Sequence, residues 1–283
     1  MSLNSVNTNM GAMIALQSLN RTNDQLSMTQ KKISTGYRVA DAVDDGAAYA
    51  VAQRVRSDVG ALTSANEQLG YVKGLLSTTL AGLDNVSSSL KSMREVLVKL
   101  ADSNVQGDQR TQYSAQYQSM LANVKTFIQD SGYNGKTLIG NLTGSNGTFA
   151  SVAVIRNEIG ATYGIATFGG SAFYGSLAFT ATQLASATSM TAAITASGTF
   201  INMLSDLGTK LNSYGNATNY VDSQSKYNNT KIDALNGGLG SLIDADLAKE
   251  SAQLQALQIR QQLGTQALSI ANQAPQTLLS LFK

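Results

Sequence analysis

The 283-residue chain has no histidine, no cysteine and no tryptophan, and only one proline. Without His or Cys, neither a Ser-His-Asp nor a Cys-His nucleophile can be assembled, and the common zinc sites lack their ligands. No disulfide can form, so cysteine usage carries no sign of a redox compartment. Charge is scarce too: Asp, Glu, Lys and Arg make up 13% of the chain, about half the usual share. Ser, Thr, Asn, Gln and Ala take their place. Surfaces of that kind repel neighbours weakly and suit close packing of many copies. The net charge of +2 is mild and Lys and Arg are scattered, so no basic stripe points to nucleic acid.

Long apolar runs are missing as well. No stretch approaches the ~20 apolar residues of a membrane helix, which argues against membrane insertion. The N-terminus lacks the charged start and unbroken apolar core of a cleaved secretory signal. Two localisations fit: the cytoplasm, or export by a machine that leaves the N-terminus uncleaved.

What is present is a helical apolar rhythm. Ala12, Leu16, Leu19, Asn23, Leu26, Gln30 and Ile33 step by alternating four and three, with two polar seam positions of the kind that set register. Gly36 stops this helix. A long segment opens near Asp41, Asp44 and Asp45 and carries Val55, Leu62, Leu69, Leu76, Leu83, Leu90 and Leu97. At ~1.5 Å per residue, residues 43–101 predict a rod of roughly 85 Å. A third helix with Tyr113, Tyr117, Met120, Val124 and Phe127 follows a short turn, so the two are expected to be antiparallel neighbours. Gly, Ser, Thr and Asn crowd residues 132–198, where 151–155 and 163–168 alternate like short strands. Helical spacing returns with Phe200, Leu204, Leu207, Leu211, Tyr214, Val221 and Ile232. It breaks at Gly237 and Gly238, read as a flexible joint, and resumes from Ser241 with Asp244 as a capping-box-like pair. The last stripe is Ala252, Ala256, Ile259, Leu263 and Ile270, ending around Pro275.

The fold class is therefore mainly α. Coiled-coil-like rods from both chain ends flank a small β-containing insertion. The acidic cluster of Asp41, Asp44 and Asp45 sits where carboxylates accept the orphan amides of a helix start, so capping explains it without a metal. Gly237-Gly238-Leu239-Gly240 lacks both the preceding strand and the last glycine of a phosphate loop. Gly70 and Gly74 have the spacing of a tight helix contact. No cofactor is implied. Both terminal stripes are nearly free of charge, and ordering costs about 1–2 kcal/mol per residue against about 1.5–3 returned by a buried Leu. The end helices are thus expected to need copies from other chains.

Several residues carry a resemblance. Asn7-Thr8-Asn9, Ile33-Ser34-Thr35-Gly36 and Ala42-Val43-Asp44-Asp45 resemble the N-terminal signature of bacterial flagellins. Asp244-Ala245-Asp246-Leu247-Ala248-Lys249-Glu250 and the ending from Gln266 through Pro275 to Leu281 resemble the C-terminal one. The likeness covers roughly residues 1–140 and 200–283, and the small middle is similar to that of alphaproteobacterial members. It implies a non-enzymatic subunit of the flagellar filament. Residues 1–40 and 241–283 would form an inner core, disordered in the monomer. Residues 41–140 and 199–240 would form a rod, and 141–198 a variable surface domain. Leu16, Leu19, Leu26, Ile33, Ile259, Leu263, Ile270 and Leu278 are the expected polymerisation contacts. Gly36, Asp44, Asp45, Gly237, Gly238, Ser241 and Asp244 are the expected caps and joints. The resemblance also implies an extracellular filament, uncleaved type III export with a cytoplasmic chaperone, and hook-associated and cap proteins as partners besides the chain itself. The rival readings are a hook–filament junction protein and an enzyme housed in the middle, whose only acid is Glu158. Members sensed by the animal innate immune receptor carry Arg–x–Arg–Glu–Leu. The aligned stretch here is Ser92-Met93-Arg94-Glu95-Val96, which puts recognition by that receptor in doubt.

Overall fold

The computed structural model describes the backbone of residues 8–280 and the side chains of residues 8–273. Long helices come first and last. They are α1 (Met10–Thr35), α2 (Gly46–Ala101) and α3 (Gly107–Gln129), then, after the middle, α7 (Thr199–Ile243) and α8 (Leu247–Ser280). Between them lie six short strands: β1 (Lys136–Thr137), β2 (Ile139–Gly140), β3 (Thr148–Phe149), β4 (Val152–Ile155), β5 (Thr162–Ile165) and β6 (Phe168–Gly169). Three short helices follow, α4 (Gly170–Leu177), α5 (Ala181–Ala185) and α6 (Ala187–Ile194). The strands pair two by two: β1 with β3 and β2 with β6 in parallel, β4 with β5 as an antiparallel hairpin. The chain thus follows the helix–strand–helix order read from the sequence. Residues 181–194 carry two short helices, the first started by a capping box in which Thr180 and Gln183 exchange side-chain and backbone bonds.

Contacts divide the chain into two units. One joins the chain up to Ser57 with the chain from Asp233, and the other is Asp58–Ile232. The division lies inside α2 and α7. Its cause is a small core in the first unit: Val39, Ala52 and Ile243 are buried, with Ala48, Tyr49 and Leu239 packed on them. These residues tie the start of α2 and the end of α7 to the loop that follows α1.

The second unit has one continuous apolar core. Leu69, Leu76, Leu83, Leu90 and Leu97 of α2 meet Tyr117, Val124 and Ile128 of α3 and Phe200, Leu207 and Tyr214 of α7. Seven-residue steps on α2 keep one face inward, as its pattern predicts. α2 and α3 run antiparallel, as the short turn requires. Their close approach is at Gly82, where a Cβ would stand 2.9 Å from the Ser131 Cβ and 3.3 Å from the Phe127 carbonyl oxygen. The expected contact at Gly70 and Gly74 is not between helices: Gly70 faces open space and Gly74 makes room for the Tyr133 ring. Arg110 closes the turn. Its guanidinium donates to the carbonyls of Leu100, Asp102, Val105 and Leu184, supplying donors for the carbonyls that a helix end leaves orphaned.

The middle segment is not a detached insertion. Val152, Val154, Ile165, Phe168, Phe173, Leu177, Leu184 and Met190 are buried in the same core as the long helices. The β4–β5 hairpin turns Val152 and Val154 inward and is clamped to α7. Tyr163 stacks on Tyr220 with centroids 4.0 Å apart. Gln224 and Asn228 donate to the Arg156 carbonyl, and Lys231 pairs with Glu158. That pairing holds the Glu158 carboxyl below its ordinary range. The buried Asn228 also donates to Asn66 of α2 at 2.9 Å, so one side chain joins three elements.

Candidate functional site

The terminal helices carry the candidate assembly surfaces. α1 and α8 run antiparallel in the first unit. Asn9 lies beside Ala271, Leu19 beside Gly264, Asn23 beside Gln261 and Lys32 beside Glu250. Asn23 accepts from Gln261 Nε2 at 2.8 Å, a polar pair of the kind that fixes helix register. Lys32 Nζ reaches one Glu250 oxygen at 3.4 Å, and the other oxygen is buried without a partner.

Asn9 works on both helices. Its Oδ1 accepts from the Ala12 amide at 3.1 Å, capping α1, while its Nδ2 donates to the Ala271 carbonyl at 2.6 Å. Ala271 stands four residues before Pro275. In an uninterrupted helix its carbonyl would accept from residue 275, and a proline has no N–H to give. Asn9 fills that vacancy. With the freed carbonyl partnered, α8 continues through Pro275 to Ser280, past the end expected from the sequence.

The loop between α1 and α2 is built by carboxylates. Gly36 adopts φ 74° and closes α1 by donating its amide to the Lys32 carbonyl. Asp45 accepts from the amides of Ala47 and Ala48, both at 3.1 Å, and so caps α2. Asp44 does not cap a helix. It accepts from the Ala40 and Asp41 amides, while Asp41 accepts from those of Val43 and Asp44. Lys31 Nζ bridges both, 2.7 Å from Asp41 and 3.0 Å from Asp44. The Lys31 contact and the Val43 amide lower the Asp41 pKa, and the Ala40 amide followed by Lys31 lowers that of Asp44.

The joint at the other end lies later than expected. α7 runs unbroken through Gly237, Gly238 and Gly240 to Ile243. Flanking contacts hold the helix there despite the glycines: Leu239 packs on the small core, and the Ile243 carbonyl accepts from the Arg38 and Val39 amides. Ser241 is therefore inside α7, its hydroxyl donating to the Gly238 carbonyl. The break falls at Asp244-Ala245-Asp246. There Asp244 bridges to Tyr37, and Asp246, not Ser241 or Asp244, caps α8 by accepting from Ala248 and Lys249.

The expected polymerisation residues divide in two. Leu19, Leu26 and Ile33 are half-buried along the α1 face that meets α8, so the chain's own partner helix occupies them. On α8 the matching inner face is Leu254, Leu257, Gln261, Gly264, Leu268 and Ala271, a 3-4 series overlooked because a second stripe lies beside it. That second stripe, Ile259, Leu263 and Ile270, points outward, as does Leu16 of α1. The structure adds Met10, Met13, Ile14 and Met28 to the outward face. All eight stand 48–69% exposed. The signal for the α1 residues was present: Met10 and Met28 are five full turns apart, with Met13 and Ile14 beside the first. The side chain of Leu278 and all of Asn7 lie outside the described residues.

Large apolar side chains turned to water in this number are a feature of interaction surfaces. The inner faces alone bury little. Thr29 is the one buried side chain of α1, and Glu250 and Leu257 are those described in α8. Among the described residues no helix is long and apolar enough to cross a membrane, and no acidic cluster could hold a metal ion.

Comparison with known proteins agrees with this architecture. Residues 6–143 match the bacterial flagellin N-terminal helical region, and residues 194–282 match the bacterial flagellin C-terminal helical region. Flagellin FljM of Caulobacter vibrioides is 34% identical, with 100% of each chain covered. A flagellin of Brucella melitensis is 33% identical over 99% of each. A solved protein of Vibrio parahaemolyticus, described as hook-associated, shares the fold with a TM-score of 0.55 at 16% identity, covering 71% of this chain and 100% of that one. With both terminal regions matched and full-length relatives above 30% identity, the chain belongs to the bacterial flagellin family, the structural subunits of the flagellar filament.

Proposed function

We propose that copies of this chain assemble through the outward faces of α1 and α8. Leu16 with Met10, Met13, Ile14 and Met28 would supply one face, and Ile259, Leu263 and Ile270 the other. One observation carries this reading: both helices already use one face on each other and still present a second apolar stripe to water. Covering that stripe with further copies removes apolar area in every subunit of a helical array. Leu19, Leu26 and Ile33 act one step earlier, by holding the pair together so that the outward stripes have a fixed register.

In this reading the terminal pair forms the inner part of the filament. The thin inner faces make the terminal pair a weak one in the free chain, which assembly reinforces. The same reading places the subunit outside the cell after export without cleavage, with a chaperone covering the apolar stripes beforehand and hook-associated and cap proteins meeting the filament ends. The shared fold of the hook-associated protein from Vibrio parahaemolyticus keeps the junction reading as an alternative. Flagellin relatives matched along the whole length favour the filament. Electron microscopy of the purified chain, seeded with filament fragments, separates the two. Long uniform filaments of this chain alone are expected. Short stubs that never elongate would assign it to the junction.

A further inference from the structure

We infer that the outward face of α1 is an oxidation-sensitive site, at which sulfoxidation of Met10, Met13 and Met28 blocks addition of the subunit to a filament. The proposal rests on the assembly reading above. The chain has eight methionines and neither cysteine nor tryptophan, so thioethers are its principal two-electron oxidation targets. The structure sorts them sharply. Met93 and Met190 are fully buried in the core of the second unit. Met120 and Met203 are half-buried against that core. Met10, Met13 and Met28 are 54–59% exposed, and all three lie on one face of one helix.

That placement makes the chemistry consequential. A peroxide delivers one oxygen atom to the thioether sulfur: an S–O bond forms as the O–O bond breaks, the sulfur loses two electrons, and hydrogen peroxide leaves as water. The product is a polar, chiral sulfoxide where a flexible apolar side chain stood. Exposed on a free subunit it costs little. Covered by a neighbouring copy, it puts a strong acceptor into an apolar contact without a donor matched to it. Three such groups within one 26-residue helix act together. The sensitivity is also one-way. The free subunit offers these sulfurs to the oxidant, and a filament that covers them does not.

Purified full-length subunit and preformed filaments are treated with hydrogen peroxide, the sulfoxides mapped by peptide mass spectrometry, and elongation from untreated seeds measured by sedimentation. In the subunit Met10, Met13 and Met28 are expected to oxidise well before Met93 and Met190, and in filaments to be protected. Oxidised subunit should need about tenfold or more higher concentration to elongate, and methionine sulfoxide reductase should restore it. The triple variant Met10→Leu, Met13→Leu and Met28→Leu keeps the other methionines, Met1 included, and should elongate equally with and without peroxide. Full oxidation of the three with unchanged elongation would overturn the proposal, as would equal oxidation in filaments, or a Leu variant that peroxide still inactivates. Untreated protein serves as the separate check. If it fails to polymerise, the assembly reading itself fails, whatever peroxide does.

Discussion

An aspartate at position 263 separates the two faces of α8. Leu263 is 60% exposed in the subunit and belongs to the outward stripe, whereas Leu257, on the inner face, is 3% exposed. In the free chain Leu263→Asp removes little packing and exchanges a good helix former for a poorer one, about 0.5 kcal/mol. In a filament the loss has two parts. Full burial of a Leu returns about 1.5–3 kcal/mol, of which the share still exposed in the subunit is roughly 1–2. The new carboxylate would also be covered without a partner, at about 3–5 kcal/mol. Together these exceed ~4 kcal/mol per subunit, or about a thousandfold in critical concentration at 1.4 kcal/mol per decade. Sedimentation of seeded filaments across a concentration series measures the loss in assembly, and thermal circular dichroism on the unassembled chain measures the change in the free chain. Leu257→Asp is the control, expected to loosen the α1–α8 pair in the free chain. If Leu263→Asp assembled at the parent's critical concentration, the outward stripe would not be a subunit contact. If its free chain melted as early as that of Leu257→Asp, position 263 would belong to the intrachain pair.

Much of this fold was legible because long helices announce themselves by period. The 3-4 spacing of α2 named Leu69, Leu76, Leu83, Leu90 and Leu97, and all five are buried. What the pattern could not say was which of two stripes on a thin helix turns inward. On α1 the apolar positions Leu16 and Leu19 are three residues apart, yet Leu19 meets α8 and Leu16 meets water. On α8 the inward series includes Gln261 and Gly264, which a search for large apolar residues passes over. Gly264 is there because a Cβ would come within 3.2 Å of the Leu19 side chain. Glycine misled in the opposite sense at 237–240, where propensity alone favours a break and tertiary contacts carry the helix through. The middle segment was hardest to place. Its strands are two to four residues long, so alternation locates them without revealing that Phe168, Phe173 and Leu177 close the same core as the long helices.

Two further consequences follow from particular contacts. Replacing residues 145–195 with a short Gly-Ser link would remove Val152, Val154, Ile165, Phe168, Phe173, Leu177, Leu184 and Met190 from the core. At about 1.5–3 kcal/mol each this exceeds the ~5–15 kcal/mol stability of a typical domain, so the second unit should lose its cooperative thermal transition. A shortened chain that melts like the parent would show the segment to be a separable insertion after all. The other consequence concerns Asn9, whose two bonds can be taken apart by choice of substitution. Asn9→Asp keeps an acceptor for the Ala12 amide, since Asp and Asn rank equally as helix caps and the negative charge suits a helix start. It removes the donor that Asn9 gives to the Ala271 carbonyl, which the Pro275 nitrogen cannot replace. The cost should be about 0.5–1.5 kcal/mol, that of one hydrogen bond between partly buried groups. Asn9→Ala loses the cap as well, about 1 kcal/mol more. Hydrogen exchange read on assembled filaments, where both helices are held, distinguishes the two. The Ala12 amide should remain protected in Asn9→Asp and lose protection in Asn9→Ala, while the amides of α8 around Ala271 exchange faster in both. Equal protection of those α8 amides in the parent and in Asn9→Asp would mean that the proline vacancy is satisfied some other way, and that Asn9 serves α1 alone.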